Sequence, residues 1–180
     1  KNYTSGSINK AIFMLSVPMI LEMIMESMFA VVDVFFVGRL GVDAIATVGL
    51  TESIVMVIYA ISVGLSMGVT AMVARRVGEG HHEEASAVVY QGILASVLLS
   101  LVFGMAGMIY AEELLALMGA SDQLIATGSM YTRILLGGNL TITLLFVLNA
   151  MFRGAGDAAI AMRVLWLSNG LNIILDPLFI

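Results

Sequence analysis

Five long apolar runs divide this chain, at about 11–38, 44–74, 85–111, 123–152 and 158–180. A helix that crosses a bilayer needs ~20 predominantly apolar residues, and each run exceeds that length. The runs are rich in Leu, Ile, Met, Val and Ala, and they lack the alternation of a lipid-facing barrel strand. They predict an all-α fold, a polytopic membrane helical bundle with five transmembrane helices, several of them long and tilted. Composition agrees: 60% of residues are hydrophobic, 12% are charged and the mean hydropathy is +1.02. Soluble domains are nearer roughly 45–50% apolar and about 25% charged.

Several function classes drop out at once. The chain has no cysteine, so neither a disulfide framework nor a thiolate metal site is available. No basic block suited to nucleic acid is present. No nucleophile–base pair or cofactor motif suggests an enzyme. The first run is too long and too acidic for a secretory signal.

The acidic residues inside the runs carry the functional argument. Glu22, Glu26 and Asp33 all lie in the first run. One charged side chain at the centre of a membrane helix costs roughly 2.5–3.5 kcal/mol on insertion scales. At ~100° per residue, Glu26 projects about 40° and Asp33 about 20° from Glu22. The three therefore share one side of the helix, as expected where that side lines a polar cavity or an ion path. In the fifth run, Asn169, Asn172 and Asp176 form a second polar stripe. By residue count Asp176 and Asp33 lie at similar depth. Two carboxylates in one dry site cannot both ionise cheaply, so a proton or a Na⁺ is expected to neutralise the pair.

The breaks between runs carry turn chemistry: Gly38–Gly41, Gly78–His82, Gly119–Asp122 and Arg153–Asp157. Ser121 or Asp122 is the expected N-cap of the fourth helix. Such short connections predict that sequential helices are antiparallel neighbours. With alternating helices, Lys1, Lys10, Arg75, Arg76, Arg153 and Arg163 fall on one side and Arg39 on the other. The positive-inside rule then places the N-terminus in the cytoplasm and the multi-pass chain in the plasma membrane. The chain begins at Lys1 without a methionine and stops at Ile180 within an apolar run, which predicts a piece of a longer polytopic protein.

Four segments, in order along the chain, resemble one family: Pro18 early in the first run, Val32-Asp33-Val34-Phe35-Phe36-Val37-Gly38 at its end, Phe152-Arg153-Gly154-Ala155-Gly156-Asp157, and Asn172-Ile173-Ile174-Leu175-Asp176-Pro177-Leu178. Together they are similar to the N-terminal lobe of the multidrug and toxic compound extrusion (MATE) family. The resemblance implies five helices of a six-helix lobe, with a second lobe of the same polypeptide lying outside this chain. It implies export of small-molecule drugs, mainly organic cations, driven by Na⁺ or H⁺ through alternating access, with no cofactor beyond the coupling ion. It implies cation or proton coupling at Asp33, Asp176 and Asn172, and a Na⁺ held there in sodium-driven members. Glu26 and Asn149 match positions of the substrate cavity, and Pro18 matches a proline linked to bending of the first helix.

Other roles are open for several residues. Glu22 either belongs to the substrate cavity or simply faces water. Glu26 either touches a cationic drug or pairs with Arg133 of the fourth run. His81-His82 with Glu83-Glu84 reads as a solvated loop rather than a metal site. Gly64 and Gly68 fit a helix–helix contact, and most of the 14 methionines are expected in the core. Two other functions compete with drug export. One is a lipid-linked oligosaccharide flippase of the same broad superfamily, whose cavity would need basic residues for phosphate. The other is a small membrane scaffold or channel subunit.

Overall fold

The computed structural model describes residues 7–179, apart from the side chains of Pro177 and Phe179. Lys1 and Ile180, used above for orientation and extent, lie outside the described residues. The fold is all-helical: α1 (Ile8–Val37), α2 (Val42–Gly78), α3 (His82–Ile109), α4 (Ala111–Leu117), α5 (Asp122–Gly137), α6 (Leu140–Gly154) and α7 (Ala158–Phe179), with a 3-10 turn at Gly38–Leu40. Four stretches are long and apolar enough to cross a membrane: Val42–Gly78, His82–Ile109, Asp122–Gly154 and Ala158–Asp176. The third of these is α5 and α6 taken together. At 30 residues, α1 reaches about 45 Å at ~1.5 Å per residue, and it differs from those four in carrying Lys10 and three carboxylates.

Two features of the fold are not evident in the apolar runs. The fourth run is two helices, broken at Gly138–Asn139. Asn139 is fully buried there, and its Nδ2 donates to the Ser100 carbonyl at 3.3 Å and to the Leu136 carbonyl. A side-chain amide thus serves a carbonyl that the break leaves without its helical partner. The second feature is the short helix α4, which buries Ala111 and Leu115 completely and leaves Glu112 at the surface. Glu112 accepts from Arg133 at 2.7 Å. Pairing with Arg133, one of the two roles open to Glu26, is therefore not formed, because α4 brings the Glu112 carboxylate to the guanidinium. Beyond α4, Gly119 takes a φ of 87° that other residues rarely adopt. Ser121 then caps α5, accepting from the Leu124 N–H at 3.3 Å.

Packing is organised around α2. Its buried residues are Thr47, Thr51, Val55, Ile58, Ser62, Ser66, Val69 and Val73, a spacing of threes and fours that keeps one stripe on its neighbours. That stripe meets α3, α5 and α6. Lipid tails are as apolar as Leu, so a membrane bundle relies on close packing and interhelical hydrogen bonds. Both occur here. The Thr51 and Thr132 hydroxyls lie 2.8 Å apart, and Thr70 donates to the Ala150 carbonyl at 3.3 Å. Gly92 and Gly154 allow backbones to approach: a Cβ at Gly154 would lie 2.9 Å from the Thr70 carbonyl oxygen. Val69, Val73, Val88, Val147 and Ala150 form the largest buried apolar cluster.

Three expectations about packing are corrected. Gly64 and Gly68 face outward, with nothing within 4 Å of a Cβ at either; Ser62 and Ser66, on the other side of α2, make the contacts instead. No methionine is in the buried core, where valines and small residues suit close helix approach better than a long flexible side chain. Sequential helices are neighbours for α2–α3, α3–α5 and α6–α7. By contrast, α1 barely touches α2 and lies along α7, while α2 packs most closely on α6. Gly41, at φ 111°, lets the chain turn away after the 3-10 turn, so α1 and α7 form a pair set against the α2–α6 bundle.

Candidate functional site: two polar clefts on one helix

The acidic side of α1 faces two clefts along its boundary with the bundle. The first is a cavity of about 280 Å³ whose lining includes Glu22, Glu26, Tyr59, Asn149, Arg153 and Asn169. It combines α1, α2, α6 and α7. Glu22 is only 7% exposed, and its Oε1 lies 3.5 Å from Arg153 Nη1. Its Oε2 is buried without a hydrogen-bond partner. A Glu22 that simply faces water is therefore corrected: burial and the guanidinium of Arg153, in the last turn of α6, hold it. Glu26, one turn further along α1, is exposed and has no ion-pair partner among the described residues. Asn149 is buried at the cavity wall. The Tyr59 and Phe146 rings lie edge to face at 5.8 Å, which gives the cavity an aromatic wall.

The second cleft, of about 450 Å³, is lined by Asp33, Asp43, Thr47, Thr127 and Tyr131 among others. It lies towards the other end of α1. Asp33 is half-buried there and lies within Coulombic reach of Asp176 on α7. Asp176 is 8% exposed. With its amide nitrogen turned inward, Asn172 donates to Asp176 at 2.8 Å and 3.1 Å. Close packing of α1 on α7 is what brings these stripes together. No set of three His, Cys, Asp or Glu residues suited to a metal ion occurs among the described residues. The available donors are two carboxylates and an amide oxygen, hard ligands that suit Na⁺ or a proton better than a transition metal.

Pro18 lies inside α1. It cannot donate the backbone bond that would close the turn to Met14, which makes this the natural weak point of the helix. Beyond it, Trp166 Nε1 on α7 donates to the Leu21 carbonyl at 3.3 Å. His81 belongs to an exposed charged network at the α2–α3 turn, 3.5 Å from Glu84. In the same network the Arg75 guanidinium, hydrogen-bonded at 2.9 Å, holds the Glu79 carboxyl below its ordinary range.

Two charged residues escape the sequence reading as candidates for a site. Arg153 reads there as an orientation charge and as part of the segment Phe152–Asp157, whereas it lies in the last turn of α6 at the wall of the first cavity. Glu52 is a further carboxylate within the α2 span, exposed and lining neither cleft. The rule that marks Asp33 also marks Glu52: an acid inside an apolar run needs a reason.

An all-helical bundle with four stretches long and apolar enough to cross a membrane defines a polytopic membrane protein. Comparison with known proteins narrows the class. The MatE family model matches residues 18–178. A protein from Shewanella oneidensis named as an FAD transporter is 27% identical over 176 residues, covering 98% of this chain and 39% of that protein. A probable multidrug resistance protein NorM from Thermotoga maritima is 27% identical over 180 residues, covering 94% of this chain and 36% of that protein. A solved MOP superfamily transporter from Pyrococcus furiosus, described as having a binding pocket of reverse polarity, superimposes with a TM-score of 0.90 at 34% identity, covering 98% of this chain and 39% of that one. The chain belongs to the MatE family, which is a family of membrane transporters and not of enzymes. It spans well under half the length of each of these relatives.

Proposed function

We propose that this chain forms the N-terminal lobe of a multidrug antiporter of the plasma membrane. In this reading it exports organic cations and other drugs in exchange for Na⁺ or H⁺ by alternating access, with its N-terminus in the cytoplasm. The observation that carries the reading is the pair of clefts on one side of α1, one lined by Asp33 and the other by Glu22 and Glu26, with Asp176 and Asn172 on α7, the helix that packs along α1.

The cleft lined by Asp33 suits the coupling ion. Turned nitrogen-inward, the Asn172 amide satisfies both oxygens of Asp176. Turned the other way, it sets an amide oxygen against carboxylate oxygens, and only a proton or a cation reconciles these acceptors. Asp33 adds a second negative charge, so neutralisation there favours a closer approach of α1 to α7. The cleft with Glu26, Asn149 and the Tyr59–Phe146 wall suits an aromatic cation, held by charge and by the ring faces. Pro18, which precedes both clefts in α1, is the hinge about which the segment that carries Glu22, Glu26 and Asp33 moves.

The test uses the full-length transporter in proteoliposomes, with Na⁺ and pH gradients imposed separately. One gradient should drive efflux of a cationic dye, and Asp33→Asn should reduce the driven rate at least about tenfold. Wild-type efflux by Asp33→Asn would refute the coupling role. The relative named for FAD transport raises a second reading, export of an anionic flavin dinucleotide. Two carboxylates against the single guanidinium of Arg153 disfavour a polyanion in the substrate cavity. Competition by FAD in the same vesicles separates the two readings.

A further inference from the structure

The Glu22–Arg153 pair lies in a different cleft from Asp33, and it stands inside the cavity proposed for substrate rather than at a surface. Structural ion pairs in membranes are expected to satisfy their members fully. This one does not, because Glu22 Oε2 is buried with no partner while the residue is 7% exposed. Arg153 therefore cancels the charge of Glu22 without saturating its oxygens. Next to it, Glu26 has no compensating cation among the described residues, and one turn of helix separates the two carboxylates.

We propose that Arg153 is the residue that sets the charge specificity of this cavity. It masks Glu22, leaves Glu26 as the one uncompensated carboxylate, and so makes the cavity select singly charged over doubly charged aromatic cations. This inference rests on the cation-export reading and adds a specificity determinant to it. The charge count follows directly. With both carboxylates ionised, the cavity carries one net negative charge, which matches one positive charge on a ligand. Without the guanidinium the net charge doubles, and a second cationic group on the ligand gains a partner in Glu22. The aromatic wall formed by Tyr59 and Phe146 is unaffected by these exchanges and keeps its preference for a flat ring system.

The probes are ethidium and propidium, which share one phenanthridinium ring and differ by a quaternary ammonium group on a side chain. Binding of each to the purified full-length transporter in nanodiscs gives the ratio of their Kd values. Wild type should favour ethidium. Arg153→Met keeps an unbranched apolar stem in place of the guanidinium, and it should shift the ratio about tenfold toward propidium, as expected for a unit charge at close range in a partly screened site. Glu22→Gln leaves the guanidinium unmasked and should weaken both probes. The double variant Glu22→Gln/Arg153→Met has the same net cavity charge as wild type and should restore the wild-type ratio. Packing loss alone would not be reversed by a second substitution in this way.

A ratio within twofold of wild type in Arg153→Met, with both probes still bound, overturns the inference and leaves cation export standing. Binding of neither probe to wild type overturns both. If Arg153→Met does not fold, the comparison of Glu22→Gln with the double variant decides. A double variant that binds ethidium no more tightly than Glu22→Gln overturns the inference.

Discussion

The packing face of α2 can be tested by two alanines that differ only in where they point. Gly154 ends α6 against α2. A Cβ there would lie 2.9 Å from the Thr70 carbonyl oxygen and 2.9 Å from Val73 Cβ. Neither atom is the tip of a flexible side chain, so α2 and α6 must separate by several tenths of an ångström. Overpacking of this kind typically costs about 1–3 kcal/mol. Gly68, in the middle of α2, has nothing within 4 Å of a Cβ. Alanine there meets no obstacle and gains about 0.5–1 kcal/mol in helix propensity. The two substitutions should therefore shift stability in opposite directions. In a thermal unfolding assay of the full-length transporter in detergent, Gly154→Ala should lower Tm, as a loss of about 1–3 kcal/mol requires. Gly68→Ala should leave Tm unchanged or raise it slightly. A loss at Gly68 equal to or larger than that at Gly154 would refute the assignment of the packing face, and with it the placement of Arg153 beside Glu22.

Three further outcomes follow from the same structure. Thr51→Val removes a 2.8 Å hydroxyl contact, but Thr132 keeps the Gly128 carbonyl at 3.3 Å; the loss in a detergent unfolding assay should be about 0.6 kcal/mol, the usual worth of an interhelical hydrogen bond in a membrane. Asn139→Ala removes a fully buried amide that donates to the Ser100 and Leu136 carbonyls, while the Leu136 carbonyl keeps the Asn139 backbone N–H at 3.3 Å; a loss of about 0.5–1.5 kcal/mol is expected in the same assay. Arg75 holds the Glu79 carboxyl below its ordinary value of 4.5, so the stabilisation of the α2–α3 turn is fully present above that value and is lost as pH falls through the depressed one; amide exchange in the turn, corrected for intrinsic rates, should show protection that is flat at neutral pH and falls in acid, and Glu79→Gln should abolish that fall.

The spans were legible because the apolar runs are long and their breaks carry glycine and acid, which few other structures tolerate. The polar side of α1 was legible for a related reason: three acids at helical spacing in a membrane run have few inexpensive arrangements. Packing was harder to read. Gly64 and Gly68 fit a helix-contact motif, and so do Ser62 and Ser66. Both pairs are small, and hydropathy does not separate the side of a helix that meets protein from the side that meets lipid. Only the positions of α3, α5 and α6 decide between them. The break at Asn139 was hidden because a single buried amide can serve the freed carbonyls without any change in the apolar pattern around it. Arg153 was missed because its neighbours, Gly154 to Asp157, read as a turn. The helix in fact runs through Gly154 and carries the guanidinium back over the cavity.

The distribution of polar ties within the lobe bears on how it could move. Inside the α2–α6 bundle, helices are joined by direct hydrogen bonds such as Thr51–Thr132 and Thr70 to the Ala150 carbonyl, and by glycines that admit close backbone approach. Trp166 and the Leu21 carbonyl tie α7 to α1. Between these two bodies, the direct side-chain tie from α1 among the described residues is Arg153 to Glu22, at 3.5 Å. Both clefts open along this same boundary, one beside that tie and one beside Asp33. In the proposed exchange, an ion that neutralises Asp33 and Asp176 acts on α1 against α7, whereas a cation held between Glu26 and the Tyr59–Phe146 wall acts on α1 against the bundle. The two ligands therefore strain different joints of one helix, and Pro18 precedes the shared segment. A helix held in this way can bind either ligand at little cost to the bundle, and opposing demands on its position are what exchange of one ligand for the other requires.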